Sequence, residues 1–182
     1  MSTKPTLITI FADASFCPKS KAAGWGAWAM RDGWQRGRFM GGVVRTSVRN
    51  STEAELCGLA AAMLHLDTER MLSDVEAFIL QCDNTAALGA IAQLPTAKWS
   101  HSSSERDSRE VQRRIVCAPV ERQAIDEIRM VTLARPIWLR HVKGHAHGQP
   151  NTSGRHWVNQ QCDNQARRHM LERRRELAGA AA

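Results

Sequence analysis

The sequence predicts an α/β fold on a mixed sheet, and three observations carry that expectation. Apolar runs of strand length open the chain in hairpin order. Two later apolar runs alternate with helical segments, and no internal repeat or linker divides the 182 residues. A chain of this length suits one domain able to bury roughly 70% of its unfolded surface. Strand–helix–strand units call for parallel neighbours and right-handed crossovers, so hairpin strands followed by such units give a mixed sheet with helices against its faces.

Each element has its own signal. Leu7 to Ala12 is apolar and β-branched, reads as a buried strand, and stops at Asp13. Ala22 to Met30 and Trp34 to Val44 flank Arg31-Asp32-Gly33, a hairpin signal that makes three antiparallel strands. Asn50 to Asp67 reads as a helix, with Leu56, Leu59, Ala60 and Met63 on one stripe and Asn50, Ser51 and Thr52 as possible N-caps. Glu76 to Cys82 is a short strand ending in Asp83, and Asn84 to Leu94 a helix stopped by Pro95. Residues 95–119 read as a loop and then a helix carrying Arg106, Arg109, Arg113 and Arg114. Val120 to Leu133 is a further helix, Pro136 to Val142 a strand, and Gly144, Gly148, Pro150 and Gly154 mark a loop. Trp157 to Leu177 is a final helix, basic through its second half.

Composition narrows the function classes. Lys and Arg number 25 against 18 Asp and Glu, a formal charge of +7 that favours polyanionic partners. The longest apolar-rich run, Leu56 to Leu66, falls short of the roughly 18 residues of a membrane span, so a soluble chain with no membrane partner is expected. Leu7 to Ala12 is too brief for a signal peptide and runs straight into Asp13. Five widely spaced cysteines with no CxxC pair argue against a disulfide framework or a zinc knuckle, and a reducing cytoplasm is the expected location.

Four acids stand out. Asp13 and Asp83 both end apolar strands, and ligands of α/β sheets collect beyond strand carboxyl ends. Two carboxylates sharing a partly buried crevice must bind a proton or share a cation; two loop-capping Asp residues are the simpler alternative. Glu55 fits a capping box with Thr52, and Glu53 fits a second one with Asn50, so spacing alone does not choose between the glutamates. Asp163 shares a helix face with Asn159 beside the Val158, Cys162, Ala166 stripe, and it could equally pair with Arg167.

The segments Ile10-Phe11-Ala12-Asp13-Ala14-Ser15, Ala23-Gly24-Trp25-Gly26-Ala27-Trp28, Glu55-Leu56 opening an Ala-rich helix, Asp83-Asn84, Val142-Lys143-Gly144-His145 and Asn159-Gln160-Gln161-Cys162-Asp163 occur in this order from about residue 6 to 176. Together they resemble ribonuclease H of type I, a family of the RNase H-like superfamily. The resemblance implies a single RNase H-like domain over residues 1–182, its core at about 6–176 and a short basic, Ala-rich tail. It implies a mixed five-stranded sheet, three strands antiparallel and then two parallel, with helices on both faces. The implied activity is endonucleolytic hydrolysis of the RNA strand of RNA–DNA hybrids, leaving 5′-phosphate and 3′-hydroxyl ends.

By the same resemblance Asp13, Glu55, Asp83 and Asp163 correspond to four metal-binding carboxylates for two Mg²⁺ ions, with Mn²⁺ a possible substitute. Glu55 is favoured over Glu53 because Leu follows it directly. His145 takes the place of a mobile-loop histidine that aids proton transfer or product departure, with His147 its rival. Asn50, Ser51, Thr52, Thr85 and Asn159 fall where substrate is contacted. The implied partner is an RNA–DNA hybrid, with no obligate protein partner and a monomeric chain. Ala14 stands where the family usually has Gly, the loop from Phe16 to Lys21 departs from the usual Gly/Asn character, and only Lys98-Trp99 stands in for a Trp-rich handle, so grip on the hybrid should be differently distributed. Another nuclease of the superfamily, or an inactive binding module on the same fold, are the alternatives.

Overall fold

Ile8, Ile10, Phe11 and Ala12 are all buried, which a strand requires when both of its faces are covered. They belong to β1 (Leu7–Phe16), the strand that joins the two halves of the sheet. The structure is a computed structural model and describes residues 5–100, 116, 118–142 and 154–180. β2 (Ala23–Arg31) and β3 (Arg38–Val44) continue from β1 as an antiparallel meander. After α1 (Ser51–Thr68), β4 (Ala77–Cys82) returns parallel to β1. Then follow α2 (Thr85–Ile91), β5 (Ala97–Trp99), α3 (Pro119–Thr132), β6 (Ile137–His141) and α4 (Gly154–Gly179). The sheet order is β3-β2-β1-β4-β6-β5, antiparallel on one side of β1 and parallel on the other.

Alternation along β1 sorts its side chains between two cores. Ile8, Ile10 and Ala12 join the large cluster beneath α1, with Leu56, Leu59, Met63 and Leu66 from that helix. Each such fully buried Leu or Ile contributes about 1.5–3 kcal/mol. Phe11 points the other way, into a smaller cluster with Val158 and Cys162 of α4. By the same period of two, Asp13 lies on Phe11's side of the strand. Helices thus cover both faces, α1 backed by α3 on one side and α4 laid across β1, β2 and β3 on the other.

Several boundaries differ from the sequence expectation. Among the described residues the sheet has six strands, not five: Ala97–Trp99 pairs in parallel with β6 inside the segment read as a loop. A three-residue edge strand with only Ala97 buried has too little apolar pattern to be seen. Asp13 does not end its strand. Pairing with β4 stops at Phe11↔Gln81, but β2 continues to pair as far as Phe16↔Ala23, so the antiparallel partner carries β1 three residues past Asp13. β3 begins at Arg38 because the turn that closes Trp34 N–H onto the Arg31 carbonyl, at 3.0 Å, is followed by Gly37 lying under the Trp28 ring. The Arg-rich stretch at 106–114 lies outside the described residues.

Candidate active site

The two glutamates of α1 separate at the first turn. Asn50 is the N-cap, its Oδ1 accepting the Glu53 N–H at 2.9 Å. Glu53 is fully buried, and its carboxylate accepts the Arg49 backbone N–H at 2.7 Å and the Arg49 guanidinium at 2.8 and 2.6 Å. Burial opposes ionisation of Glu53, but these hydrogen bonds and the Arg49 charge outweigh it and hold its pKa below the usual range. Glu53 is therefore committed to Arg49. Glu55, two residues and about 200° further round the helix, is turned towards the sheet. The Thr52–Glu55 capping box does not form, since the cap is Asn50.

Glu55 meets residues from the carboxyl end of β4. Its Oε2 lies 3.6 Å from the Cys82 thiol, and the ligand atoms of Glu55, Cys82 and Asp83 all fall within 4.8 Å of one another. Asp13 joins them from β1: its carboxyl lies within electrostatic reach of Glu55 and Asp83, and the Ala14 backbone favours the charged form of both Asp13 and Glu55. Burial, then the charges of Asp83 and Asp163, push the Asp13 pKa up to about 7. Burial, followed by the charges of Asp13 and Asp83, raises Glu55 well above the carboxylate range. Asp13 is thereby within electrostatic reach of Asp83 and Asp163, and Glu55 of Asp13 and Asp83.

Asp163 reaches this place because α4 rides on glycine. A Cβ on Gly26 would lie 2.3 Å from the Cys162 carbonyl oxygen, and one on Gly24 would lie 2.2 Å from the Met170 nitrogen. Gly26 is also the residue paired with Asp13 across the β1–β2 ladder. The helix backbone therefore sits directly over the strand that flanks Asp13. Gln160 Nε2 donates to Asp163 Oδ2 at 3.4 Å, and no Asp163–Arg167 salt bridge is found among the described residues.

The expected substrate-contacting residues stand at the first turns of α1 and α2 and on α4. Asn50 and Ser51 are exposed and Thr52 half-buried at the start of α1. Thr85 is exposed at the first position of α2, after the cap Asn84, whose Oδ1 accepts the Ala87 N–H at 2.9 Å. Asn159 is buried one turn before Asp163. His145 and His147 lie outside the described residues. Sequence reasoning missed three neighbours: Arg49, the Cys82 thiol, and His141, whose Nε2 lies 3.1 Å from the Asp83 carbonyl oxygen. Only Arg49 had a signal, its i, i+4 spacing to Glu53.

This donor set suits a hard divalent cation. It offers carboxylate oxygens, and burial with neighbouring like charges raises Asp13 and Glu55, a cost that bound protons or cations relieve. Asp13, Glu55, Asp83 and Asp163 are the residues that could hold such ions.

Comparison with known proteins bears on the same arrangement. The family model for RNase H matches residues 5–170. A comparison with curated proteins finds no match. Among solved structures, the N-terminal RNase H domain of rv2228c from Mycobacterium tuberculosis, determined as a fusion with maltose binding protein, superposes with a TM-score of 0.62 at 14% identity, covering 97% of this chain and 99% of that one. RNase H1 from the halophilic archaeon Halobacterium salinarum NRC-1 gives 0.58 at 12% identity over 91% and 98% of the two chains. LC11-RNase H1, isolated from compost by a metagenomic approach and solved in complex with an RNA/DNA hybrid, gives 0.60 at 13% identity over 91% and 97%. No described helix is long and apolar enough to cross a membrane.

Proposed function

The chain belongs to the RNase H family, and from that premise we propose that it hydrolyses the RNA strand of RNA–DNA hybrids, leaving 5′-phosphate and 3′-hydroxyl ends. The observation that carries this reading is the convergence of Asp13 from β1, Glu55 from α1 and Asp83 after β4, with Asp163 of α4 joined to them electrostatically through Asp13. A structure similar in fold, LC11-RNase H1, was solved with an RNA/DNA hybrid, which supports the choice of substrate.

The four carboxylates would hold two Mg²⁺ ions, or Mn²⁺ in their place. Such a pair supplies a polarised water for in-line attack and charge stabilisation for the leaving 3′-oxygen. The chain's own contribution is positional. Glu55 accepts a hydrogen bond from the Cys82 thiol, and Asp83 stands where β4 gives way to Asn84, the cap of α2. Proton transfer to or from the reacting oxygens falls to His145 by the family resemblance, since an imidazole with a reference pKa of about 6.5 can exchange protons at neutral pH. Asn50, Ser51, Thr52 and Thr85 at two helix N-termini, with Asn159 beside Asp163, would meet the hybrid around the cut. Residues 1–182 would act as one domain and as a monomer.

Cleavage of a labelled RNA–DNA hybrid, a double-stranded RNA and a duplex DNA in Mg²⁺ tests the reading, with Asp83→Asn alongside. The expected result is cutting confined to the RNA of the hybrid and abolished in the variant. Cutting of all three alike, or of none, or full activity in the variant, defeats it.

A further inference from the structure

α4 extends well past the sheet it packs on. Its buried residues are Val158, Asn159, Cys162 and Ala166, and none after Ala166 is buried although the helix runs to Gly179. The solvent side of the second half of α4 is strongly basic: Arg167, Arg168, Arg174 and Arg175 are all exposed. The salt bridges seen among described residues there, His169–Glu172 and Arg173–Glu176, involve none of these four.

Helical spacing orders them. Arg167 follows Asp163 by four residues and Arg174 follows it by eleven, so all three lie within about 40° of one another on the helix surface. Arg168 and Arg175 each lie one position further, about 100° round the helix, and form a second row on one side of the first. At 1.5 Å per residue the row runs about 6 Å and then about 16 Å along the axis from Asp163. Arg174 stands near the β1–β2 connection, where its charge adds to the Ser20 hydrogen bonds that lower the Cys17 thiol. That connection contributes exposed Lys19 and Lys21, the latter over the Phe16 ring at 5.7 Å. A basic strip therefore begins one turn from a candidate metal ligand and continues outward on two elements.

We propose that this strip, Arg167, Arg168, Arg174 and Arg175 of α4 with Lys19 and Lys21, is a nucleic-acid track that holds the phosphodiester backbone of the hybrid beyond the catalytic cluster. The inference rests on the hybrid as substrate. Guanidinium groups pair with phosphate oxygens through two donors each, and the four arginines, spread over about 12 Å of helix axis, span roughly three to four phosphates of one strand at about 3.4 Å of rise apiece. Beside exposed Leu171 and the Phe16 ring under Lys21 the strip is charged, so a polyanion fits it better than a protein surface.

Counterion release gives the test. Binding of the full chain to a hybrid is measured between about 50 and 300 mM salt, in Asp83→Asn to prevent cutting, with and without Arg167→Gln, Arg168→Gln, Arg174→Gln and Arg175→Gln together. Each arginine–phosphate pairing removed makes the slope of log K against log salt shallower by about 0.9, so the fourfold variant should lose about 2–4 from its slope and bind ten- to a hundredfold more weakly at low salt. Lys at the same four positions should restore most of the slope. Four equally charged control changes at exposed Arg36, Arg45, Arg70 and Arg122 should not reproduce the loss. In the active chain the fourfold Gln variant should raise KM and leave kcat within about twofold, because none of these arginines is placed among the reacting groups. An unchanged slope in a chain that cuts hybrids, or an equal loss in the control, overturns the track. Track-dependent binding by a wild-type chain that cuts nothing supports the track and instead sinks the catalytic reading.

Discussion

The carbonyl oxygen of Cys162 occupies the space that a side chain on Gly26 would need, 2.3 Å from where its Cβ would stand. Since Gly26 pairs with Asp13 and Cys162 precedes Asp163, this approach sets how close two of the four acids come. Gly26→Ala should push α4 off the sheet, because the obstacle is backbone and has no rotamer to escape into. A loss of about 1–3 kcal/mol in denaturant unfolding is expected. Hybrid cleavage should fall about a hundredfold, as expected for a displacement near 1 Å at a positioned group. Wild-type rates with wild-type stability would show that α4 can shift without moving Asp163.

Glu53 and Glu55 should part company when each is made neutral. Glu55→Gln removes a member of the carboxylate cluster and should abolish cleavage while leaving the chain folded. Glu53→Gln leaves the cluster whole but gives up the charge-assisted hydrogen bonds from Arg49, costing about 1–3 kcal/mol with turnover kept within a few-fold. Unfolding curves and cleavage rates on the same preparations decide it, and a Glu53→Gln protein that is stable but inactive would reverse the assignment.

That distinction marks the limit of what the sequence could say. Order and type of the longer elements were legible because β1 is an apolar run of strand length, α1 an Ala- and Leu-rich stretch behind clear N-caps, and α3 carries a clear helical apolar period, and the acids stood out by their place beside such elements. Spacing did not say which glutamate serves the cluster, since both satisfy a capping spacing; the resemblance favoured Glu55 for the Leu that follows it, and the Arg49 side chain on Glu53 is what separates the two in space. Cys82 was invisible as a neighbour of Glu55 because 27 residues separate two atoms that tertiary packing brings to 3.6 Å. β5 escaped for the opposite reason: its three residues form a strand only because β6 offers an edge. The Gly24-Trp25-Gly26 segment was noticed as part of a pattern, while its cause, helix backbone on strand backbone, appears only in the fold.

Asn50 has two assignments that one substitution can pull apart. Its Oδ1 caps α1, so Asn50→Ala should cost about 1 kcal/mol, whereas Asn50→Asp keeps an equivalent cap. If Asn50 also lies against the nucleic acid, the new negative charge should raise KM for the hybrid several-fold at low salt, with thermal stability unchanged. Unchanged KM in Asn50→Asp would confine the residue to capping.

The pH dependence of the metal-free protein should follow from Asp13. Its folded pKa of about 7 lies above the ordinary 3.8, so the folded state binds the proton more tightly than the unfolded chain does. The stability tied to that proton is fully present below about pH 4 and is lost as pH rises through 7. Metal-free protein should therefore unfold at lower temperature at pH 8 than at pH 5. The free-energy change across that window is on the order of 2–4 kcal/mol, shared among the neighbouring acids. Glu53 acts in the opposite sense, since its lowered pKa makes stability fall again as pH drops below about 4. Asp13→Asn should flatten the decline between pH 5 and 8 and raise stability at pH 8, and millimolar Mg²⁺ should do the same for the wild-type chain by supplying the missing positive charge. Thermal unfolding of both proteins across that range, with and without Mg²⁺, measures it; a wild-type midpoint that climbs from pH 5 to pH 8 without metal would mean that the carboxylates do not crowd one another in solution.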